Sequence, residues 1–336
     1  MAYTTIDDPE AYFKAVKYSS NGTAIGSGGL TVTGFDFTPT WLQMKQRDAD
    51  ESSGTYDSVR GTTKSLRFNG SDAEDTRTEG ITAFNSNGFT CGSDSRINPS
   101  AGGTMIAWGW KESADAGYDI VSYTGNGSAR TISHSLSAVP KLIIVKNRDQ
   151  DDHWQVYHAG NTSAPETDYL KLNGTDATTD NANRWNDTAP TSSVFSLGDG
   201  VEVNTNTESY ISYLFAEKQG YSKFGSYSGN ANANGIYIHL GFKPAFFICK
   251  RADATVVNSW NIFDNGRNTF NETNCFIEAD TGDAEDCASG GIDFLSNGIK
   301  IRTASARFNQ SSSSYVYIAF AEAPLVNSEG VPTTAR

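Results

Sequence analysis

The sequence predicts an all-β protein made of three tandem antiparallel β-sandwiches of the jelly-roll or lectin-like kind, with one short N-terminal helix. Three observations lead to this prediction. Several phrases recur in the same order about 105 residues apart along the 336-residue chain. Short apolar and β-branched runs alternate with Gly, Ser, Thr, Asn and Asp, which is the pattern of short strands joined by turns. Helical periodicity is scarce, so antiparallel sheets are expected rather than βαβ units.

Three phrases define the repeat. The first is a turn that begins with Tyr and contains Asn, the second is a Pro followed by an apolar run and basic residues, and the third is an aromatic closing strand. They begin at Tyr18, Tyr123 and Tyr227, at Pro39, Pro140 and Pro244, and at Met105, Tyr210 and Tyr315. The period exceeds that of solenoid repeats, about 20–50 residues, and matches a domain. Because a copy of this size can enclose its own core, the repeat predicts three independent domains.

The N-terminal helix is expected over residues 7–17. Asp8 can cap it, Pro9 suits its first position, and Glu10 complements the positive end of the helix dipole.

The strands of copy two illustrate the predicted order. The run 141–146 reads as a central strand covered on both faces, and 154–157 follows as its hairpin partner. Residues 169–172 alternate as a further strand. Residues 194–203, which contain a Gly-Asp-Gly turn, are expected to form a second hairpin. Residues 210–215 form the closing strand.

The other copies show the same order. Residues 84–89 and 294–299 predict the equivalent hairpins, each with an Asn-Gly turn. The ends of the closing strands place the domain boundaries at residues 1–113, 114–220 and 221–336. The joint between copies two and three is the shorter of the two, so these copies are expected to pack rigidly against each other.

Charge and hydropathy exclude several classes of protein. The net charge of −13 argues against nucleic acid and anionic membranes as partners. No apolar run reaches the 18 or so residues that a spanning helix requires. The N-terminus lacks a basic region followed by an apolar run, so no secretory signal is expected.

The four cysteines have neither CxxC pairs nor the spacing of a zinc site. Cys249 lies in an apolar run and is expected to be a buried thiol. Cys275 and Cys287 flank an acidic loop and can form a disulfide, although a protein made in the cytosol usually keeps such thiols reduced.

Several ordered phrases resemble a group of marine bacteriophage structural proteins. They include residues 1–13, Tyr56-Asp-Ser-Val-Arg60-Gly61, and residues 106–110 of copy one, and residues 123–127, 143–148, 154–158, 213–217 and 220–227 further along the chain. The resemblance covers nearly the whole chain. It implies a virion protein such as a tail fibre, a tail appendage or a capsid-attached fibre, and it brings no catalytic residues. The histidine phrase before the proline differs among the copies, at His134 and His239 and with no histidine in copy one, so a shared chemical role for it is not expected.

Neither the histidines nor the acidic loops form a convincing catalytic or metal-binding pattern. The histidines are His134, His153, His158 and His239, and the matching pair His134 and His239 belongs to different copies. His158 is expected at a strand end with local hydrogen bonds. Acidic loops recur at 48–51, 149–152 and Asp253. They are interpreted as solvated turns, with calcium binding as the alternative.

Basic and aromatic residues recur at matching positions. They are Lys45, Arg47, Lys146, Arg148, Lys250 and Arg251 after the apolar runs, and Trp110, Phe215 and Phe320 in the closing strands. Recurrence in every copy favours a structural role over a grip on an acidic sugar. The basic head groups are expected to pair with Glu112, Glu217 and Glu322.

Arg184 and Trp185 are the candidate residues for contact with a receptor. Trp185 stands among polar residues, so it is expected to be the most exposed tryptophan and a recognition residue.

These observations predict a non-enzymatic phage virion protein without catalytic residues, metal or cofactor. Its expected partners are other phage structural proteins, further copies of itself, and a host-surface glycan. The alternatives are a glycan depolymerase, whose carboxylates would be sought among residues 280–286, and an internal tail connector.

Overall fold

The computed structural model describes residues 3–254 and 258–333 and is all-β, as predicted. Copy one contains strands β1 Phe13–Ser19, β2 Leu30–Thr33, β3 Trp41–Gln46, β4 Gly54–Asp57, β5 Lys64–Ser65, β6 Asp75–Thr76, β7 Ile81–Asn85, β8 Gly88–Cys91 and β9 Thr104–Trp110. Copy two contains β10 Tyr118–Thr124, β11 Arg130–Ser133, β12 Leu142–Asn147, β13 Gln155–His158, β14 Asp168–Lys171, β15 Thr179–Asp180, helix α1 Ala182–Trp185, β16 Val194–Leu197, helix α2 Val201–Asn204 and β17 Ser209–Phe215. Copy three contains β18 Ser222–Ser228, β19 Tyr237–His239, β20 Phe242–Arg251, β21 Asn261–Asp264, β22 Ile277–Glu278, β23 Ile292–Leu295, β24 Gly298–Ile301, helix α3 Ala306–Asn309 and β25 Ser314–Pro324. Single 3₁₀ turns lie at Pro9–Ala11, Ile25–Ser27 and Pro165–Thr167.

Each copy has one larger sheet, here called the central sheet. The three strand orders are β1-β9-β3-β4, β10-β17-β12-β13-β14-β15 and β18-β25-β20-β21-β22. A smaller outer sheet accompanies each one, with orders β2-β8-β7, β11-β16 and β19-β24-β23. All pairings between these strands are antiparallel. In every copy the closing strand (β9, β17 or β25) therefore lies between the first strand (β1, β10 or β18) and the third strand (β3, β12 or β20).

The expected N-terminal helix over residues 7–17 is wrong. Only Pro9–Ala11 forms a single 3₁₀ turn, and Phe13–Ser19 is an edge strand paired with β9. Phe13 is fully buried at the start of this strand, opposite Trp110. The helix start signals are present, but burying Phe13 in a sheet outweighs weak local helix propensity.

The hairpins have a mixed outcome. The Asn-Gly hairpins of copies one and three are confirmed as β7–β8 and β23–β24. The expected hairpin at 194–203 is wrong, because Val201–Asn204 forms the one-turn helix α2 after β16. Strand β16 pairs with β11 instead.

The expectation of three independent cores is also wrong. Along β3, Leu42 and Met44 face the outer sheet of copy one, whereas Trp41 belongs to an apolar cluster that contains residues of all three copies. Alternation of side chains along a strand gives each central sheet these two apolar faces. Ring contacts cross between the copies. Trp41 stacks on Tyr213 at 4.4 Å, Phe13 meets Phe246 at 5.4 Å, and Phe215 meets Phe320 at 5.5 Å. We call this common cluster the shared centre.

The recurring aromatic positions Trp110, Phe215 and Phe320 all lie in the shared centre, and each is at most 4% exposed. Their recurrence is explained by packing, because each closing strand delivers one large ring to the middle of the molecule.

A small apolar cavity of about 60 Å³ remains in the shared centre. Equivalent residues of the three copies line it, and one such set is Phe68, Leu172 and Ala279. Alanine in copy three therefore stands where the other copies have larger side chains.

We expect Ala279→Val to raise the free energy of unfolding by about 1 kcal/mol, because two buried methyl groups fill space that is now empty. The matched opposite change, Leu172→Ala, enlarges the cavity and is expected to cost about 2–5 kcal/mol. Denaturant unfolding of both variants measures these changes. A less stable Ala279→Val protein would show that the cavity cannot receive the added carbons.

Candidate functional site

The recurring lysines lie at the junctions between copies. Lys45, Lys146 and Lys250 are at most 1% exposed, and each Nζ donates to backbone carbonyl groups. Lys250 Nζ lies 2.6 Å from Asn258 O and 3.1 Å from Gly174 O of copy two. Lys45 likewise bonds Glu51 O and Gly282 O of copy three. Two of the three ammonium groups thus bind a neighbouring copy.

Lys146 completes the set within copy two, where Nζ bonds Asn147 O at 2.5 Å and Gln150 O at 3.1 Å. Burial lowers the pKa of each of the three lysines to about 8, and nearby carboxylates oppose this shift. These ammonium groups all donate hydrogen bonds within the molecule, which supports the expected structural role of the three lysines.

The expected pairing of the basic head groups with Glu112, Glu217 and Glu322 is wrong. Lys45 lies opposite Ile106 in the sheet, and Glu112 follows six residues further along the chain. At about 3.3 Å per residue, the glutamate lies roughly 20 Å away. The closing glutamates have other partners, and Glu322 receives Lys243 at 2.5 Å.

The recurring arginines join the copies in two of three cases. Arg47 of copy one contacts Glu285 of copy three at 2.7 Å, and Arg148 of copy two binds Glu74 of copy one through two 2.9 Å hydrogen bonds. Arg251 instead pairs with Asp253 within copy three at 2.7 Å. At the junction between copies two and three, Ala252 O accepts the N–H of Thr178 from copy two. Copy one thus contacts copy three, copy two contacts copy one, and copy three contacts copy two, so the contacts run in one direction around the molecule.

Two tryptophans strengthen these junctions. Trp154 Nε1 donates to Arg67 O of copy one, and Trp260 Nε1 donates to Lys171 O of copy two, both at 2.8 Å. Both indoles are fully buried. Ser53 is the residue of copy one that corresponds to these tryptophans. Its N–H donates to the Asn69 side chain, just as the N–H of Trp154 donates to the side chain of Asn173.

A buried charged motif was missed by the sequence reasoning. Asp57 and Arg60 form an ion pair with fully buried side chains, and Asp264 and Arg267 repeat it in copy three. Each aspartate also accepts a donor from another copy, because Tyr213 OH reaches Asp57 at 2.6 Å and Trp108 Nε1 reaches Asp264 at 2.9 Å. The available signal was Asp-x-x-Arg at matching distances after a short strand.

His158 occupies the same place in copy two. Its Nδ1 accepts the N–H of Gly160 at 3.1 Å, so Nε2 carries the proton and donates to Tyr317 O of copy three at 2.9 Å. The ring is buried, and this burial lowers its pKa from 6.5 to about 4. The expected local bond is present, and a bond across the junction accompanies it.

We expect acid to weaken the fold through His158. The folded pKa lies below the ordinary value, so the stability it contributes is complete above pH 6.5 and is lost as the pH falls towards about 4. The loss is about 3 kcal/mol at the acid end. Unfolding free energies of wild type and His158→Gln, measured from pH 7 to pH 4, check this difference.

The comparison with His158→Gln is needed because Glu112 acts in the opposite direction. Burial and a hydrogen bond with Asp119 raise the pKa of Glu112 to about 7, so its stabilising contribution is lost as the pH rises from about 4.5 to about 7. Parallel pH profiles for wild type and His158→Gln would contradict the assignment to His158.

The acidic loops hold backbone N–H groups. Asp50 accepts from Ala284 N of copy three at 2.9 Å, and Asp151 accepts from Ala73 N of copy one at 3.0 Å. Asp253 accepts from Ser314 N at 3.1 Å. Within the described ranges, the one grouping of three potential metal ligands is Cys275, Glu285 and Cys287, outside these loops.

Cys275 and Cys287 form a disulfide, and Cys91 and Cys249 are buried thiols. The open question about pairing is thus answered, and the prediction for Cys249 is confirmed. Glu285 beside the bridge accepts hydrogen bonds from Arg47 and Arg267.

The expectation that Trp185 and Arg184 form an exposed contact is wrong. Trp185 is 2% exposed and donates Nε1 to Asp168 O at 3.0 Å. Arg184 is 6% exposed, bonds Gln155 and Glu202, and covers the ring of Tyr169. The polar neighbours suggested a loop, but the single turn of α1 directs both side chains inward.

None of the helices in the described residues is long and apolar enough to cross a bilayer. Comparison with curated proteins gives no match. A family model does match, over residues 8–324, which include all three copies. The chain therefore belongs to the family described as Domain of unknown function (DUF7483).

Proposed function

We propose that the protein is a non-enzymatic structural component of a bacteriophage virion, as a tail fibre, tail appendage or capsid-attached fibre. Its role is adhesive or cementing, and its partners are other virion proteins and further copies of itself. The observation that supports this proposal most strongly is that the recurring polar residues have structural partners. Lys45, Lys250 and Arg148 form hydrogen bonds between the copies. The similarity of its ordered phrases to marine phage proteins supports the same role.

We further propose that each copy, within residues 1–113, 114–220 and 221–336, is a jelly-roll or lectin-like sandwich fused to its neighbours at the shared centre. A rigid body of this kind presents surface loops in fixed positions. When particle symmetry multiplies such bodies, weak single contacts add through avidity.

The acidic stretch of copy three favours this role over a depolymerase. Asp280 accepts Trp260 N at 2.8 Å, Glu285 binds two arginines, and Asp286 accepts Ala288 N at 2.7 Å. These carboxylates have internal partners, whereas a glycosidase requires two carboxyl groups facing a substrate cleft.

The test is the composition of purified virions. Mass spectrometry of gradient-purified particles should find the chain, and gold-labelled antibodies should place it at the tail or on the capsid surface. Its absence from particles that carry the known coat proteins in full amount would overturn the proposal.

A further inference from the structure

A polar cleft of about 360 Å³ lies where copy one meets copy two. This volume is at the small end of the range of about 300–1,000 Å³ found for small-molecule sites. The residues that matter in its lining are Arg67, Arg77, Arg96, Asp72, Asp75 and Asp151. Ala73 N binds Asp151 at 3.0 Å across the junction beside the cleft.

One lining residue of the cleft differs in kind among the copies. Ser65 lines it, and the matching residues in copies two and three are the aromatic Tyr169 and Phe276. In those copies an arginine covers the ring. The guanidinium carbon of Arg184 lies 4.8 Å from the ring centre of Tyr169, and that of Arg307 lies 5.7 Å from Phe276. Serine in copy one leaves out the ring, and Arg96 binds Ser65 Oγ at 3.0 Å instead.

The cleft presents fixed donors and acceptors of both signs. Asp75 is held by Arg77 at 2.7 Å and by Arg96 at 2.6 Å through the same oxygen, Oδ2. Its other oxygen, Oδ1, is buried and accepts no hydrogen bond from the residues that the structure describes. Arg67 pairs with Asp72 at the rim, where both side chains remain partly exposed. Planar guanidinium and carboxylate groups of this kind donate to and accept from neighbouring hydroxyl groups.

We propose that this cleft binds one or two rings of a neutral sugar at the end of a surface glycan. The inference rests on the proposed adhesive function and names the ligand class for it. A neutral sugar supplies hydroxyl groups that act as donor and acceptor at once, which suits alternating arginines and carboxylates. The carboxylates Asp72, Asp75 and Asp151 repel anionic ligands, and the three guanidinium groups repel cations, so neither kind of charged ligand is favoured.

The experiment is saturation-transfer NMR on the full chain. The probes are free glucose, galactose, mannose, rhamnose and N-acetylglucosamine, with glucuronate as the charged comparison. We expect at least one neutral sugar to give a signal with a dissociation constant near the millimolar range, which corresponds to about −4 kcal/mol.

Variants locate the site. Arg77→Gln removes a half-exposed guanidinium, and Ser65→Phe introduces the ring that copy three has; each should weaken sugar binding at least tenfold. Arg130→Gln, on the outer sheet of copy two, is the matched control and should leave binding unchanged. If Ser65→Phe does not fold, Arg77→Gln decides alone.

The inference is overturned if no neutral sugar gives a signal, if Arg77→Gln binds as wild type does, or if glucuronate binds better than every neutral sugar. In each of these cases the proposed virion function is still tested separately, by whether purified particles contain the protein. If the protein binds sugar at this cleft but is absent from virions, the sugar site is confirmed and its role in a virion is contradicted.

Discussion

A fragment that contains only copy two, residues 114–220, is expected not to fold, whereas the full chain unfolds in one cooperative transition. One face of the copy-two central sheet lies in the shared centre and would meet water in the fragment. The side chains affected include Leu142, Ile144, Val156, Leu170, Tyr213 and Phe215. Exposing each costs about 1.5–3 kcal/mol, so the total reaches roughly 10 kcal/mol or more. This is comparable with the whole stability of a typical domain, about 5–15 kcal/mol.

The measurement is the dispersion of amide signals in an NMR spectrum of the fragment, together with its near-ultraviolet circular dichroism. The full chain in the same buffer is the control. A fragment with dispersed signals and a cooperative thermal transition would show that copy two carries a sufficient core of its own. Separate melting of the three copies within the full chain would contradict the shared centre in the same way.

The shared centre explains which parts of the fold the sequence could predict. The repeat, the all-β class and the Asn-Gly hairpins depend on local patterns, and these predictions are confirmed. The run 141–146 is also predicted to be a strand covered on both faces, and β12, Leu142–Asn147, confirms this with bounds shifted by one residue. Its pattern says that both faces are apolar, but not which element covers the second face. That partner is another copy, and contacts between distant segments leave no periodic signal.

The misplaced site residues have a related cause. Trp185 was assigned to the surface because of its polar neighbours, yet one helical turn is enough to bury it beneath Tyr157, with ring centres 6.0 Å apart. The polar cleft of copy one is lined in part by Ser65, which stands where the other copies have an aromatic residue. The three copies can be compared for that difference in the sequence, but only the structure shows that the serine lies beside a cleft.

The buried ion pair of copy one gives the largest expected effect of a single substitution. The guanidinium group of Arg60 binds Asp57, Thr55 O at 3.0 Å, Lys64 O at 3.1 Å and, more loosely, Glu74 at 3.3 Å. Arg60→Met removes these donors and leaves the Asp57 carboxylate buried, with Tyr213 as its donor from copy two. We expect a loss of about 3–5 kcal/mol in the free energy of unfolding, which is the usual cost of breaking a buried pair on one side.

Three further variants separate charge from packing. Asp57→Asn removes one charge and Asp57→Asn with Arg60→Met removes both, so we expect the double variant to lose clearly less than the sum of the two single losses. Arg77→Met is the matched control, because Arg77 also pairs with an aspartate but its side chain is 41% exposed. Its cost should stay below about 1 kcal/mol, as for surface ion pairs. Denaturant unfolding of these variants and the wild type provides the comparison, and equal losses for Arg60→Met and Arg77→Met would show that burial does not govern the strength of these pairs. Because Asp57 receives its donor from copy two, the loss at Arg60 should appear as lower stability of the whole chain rather than as melting of copy one alone.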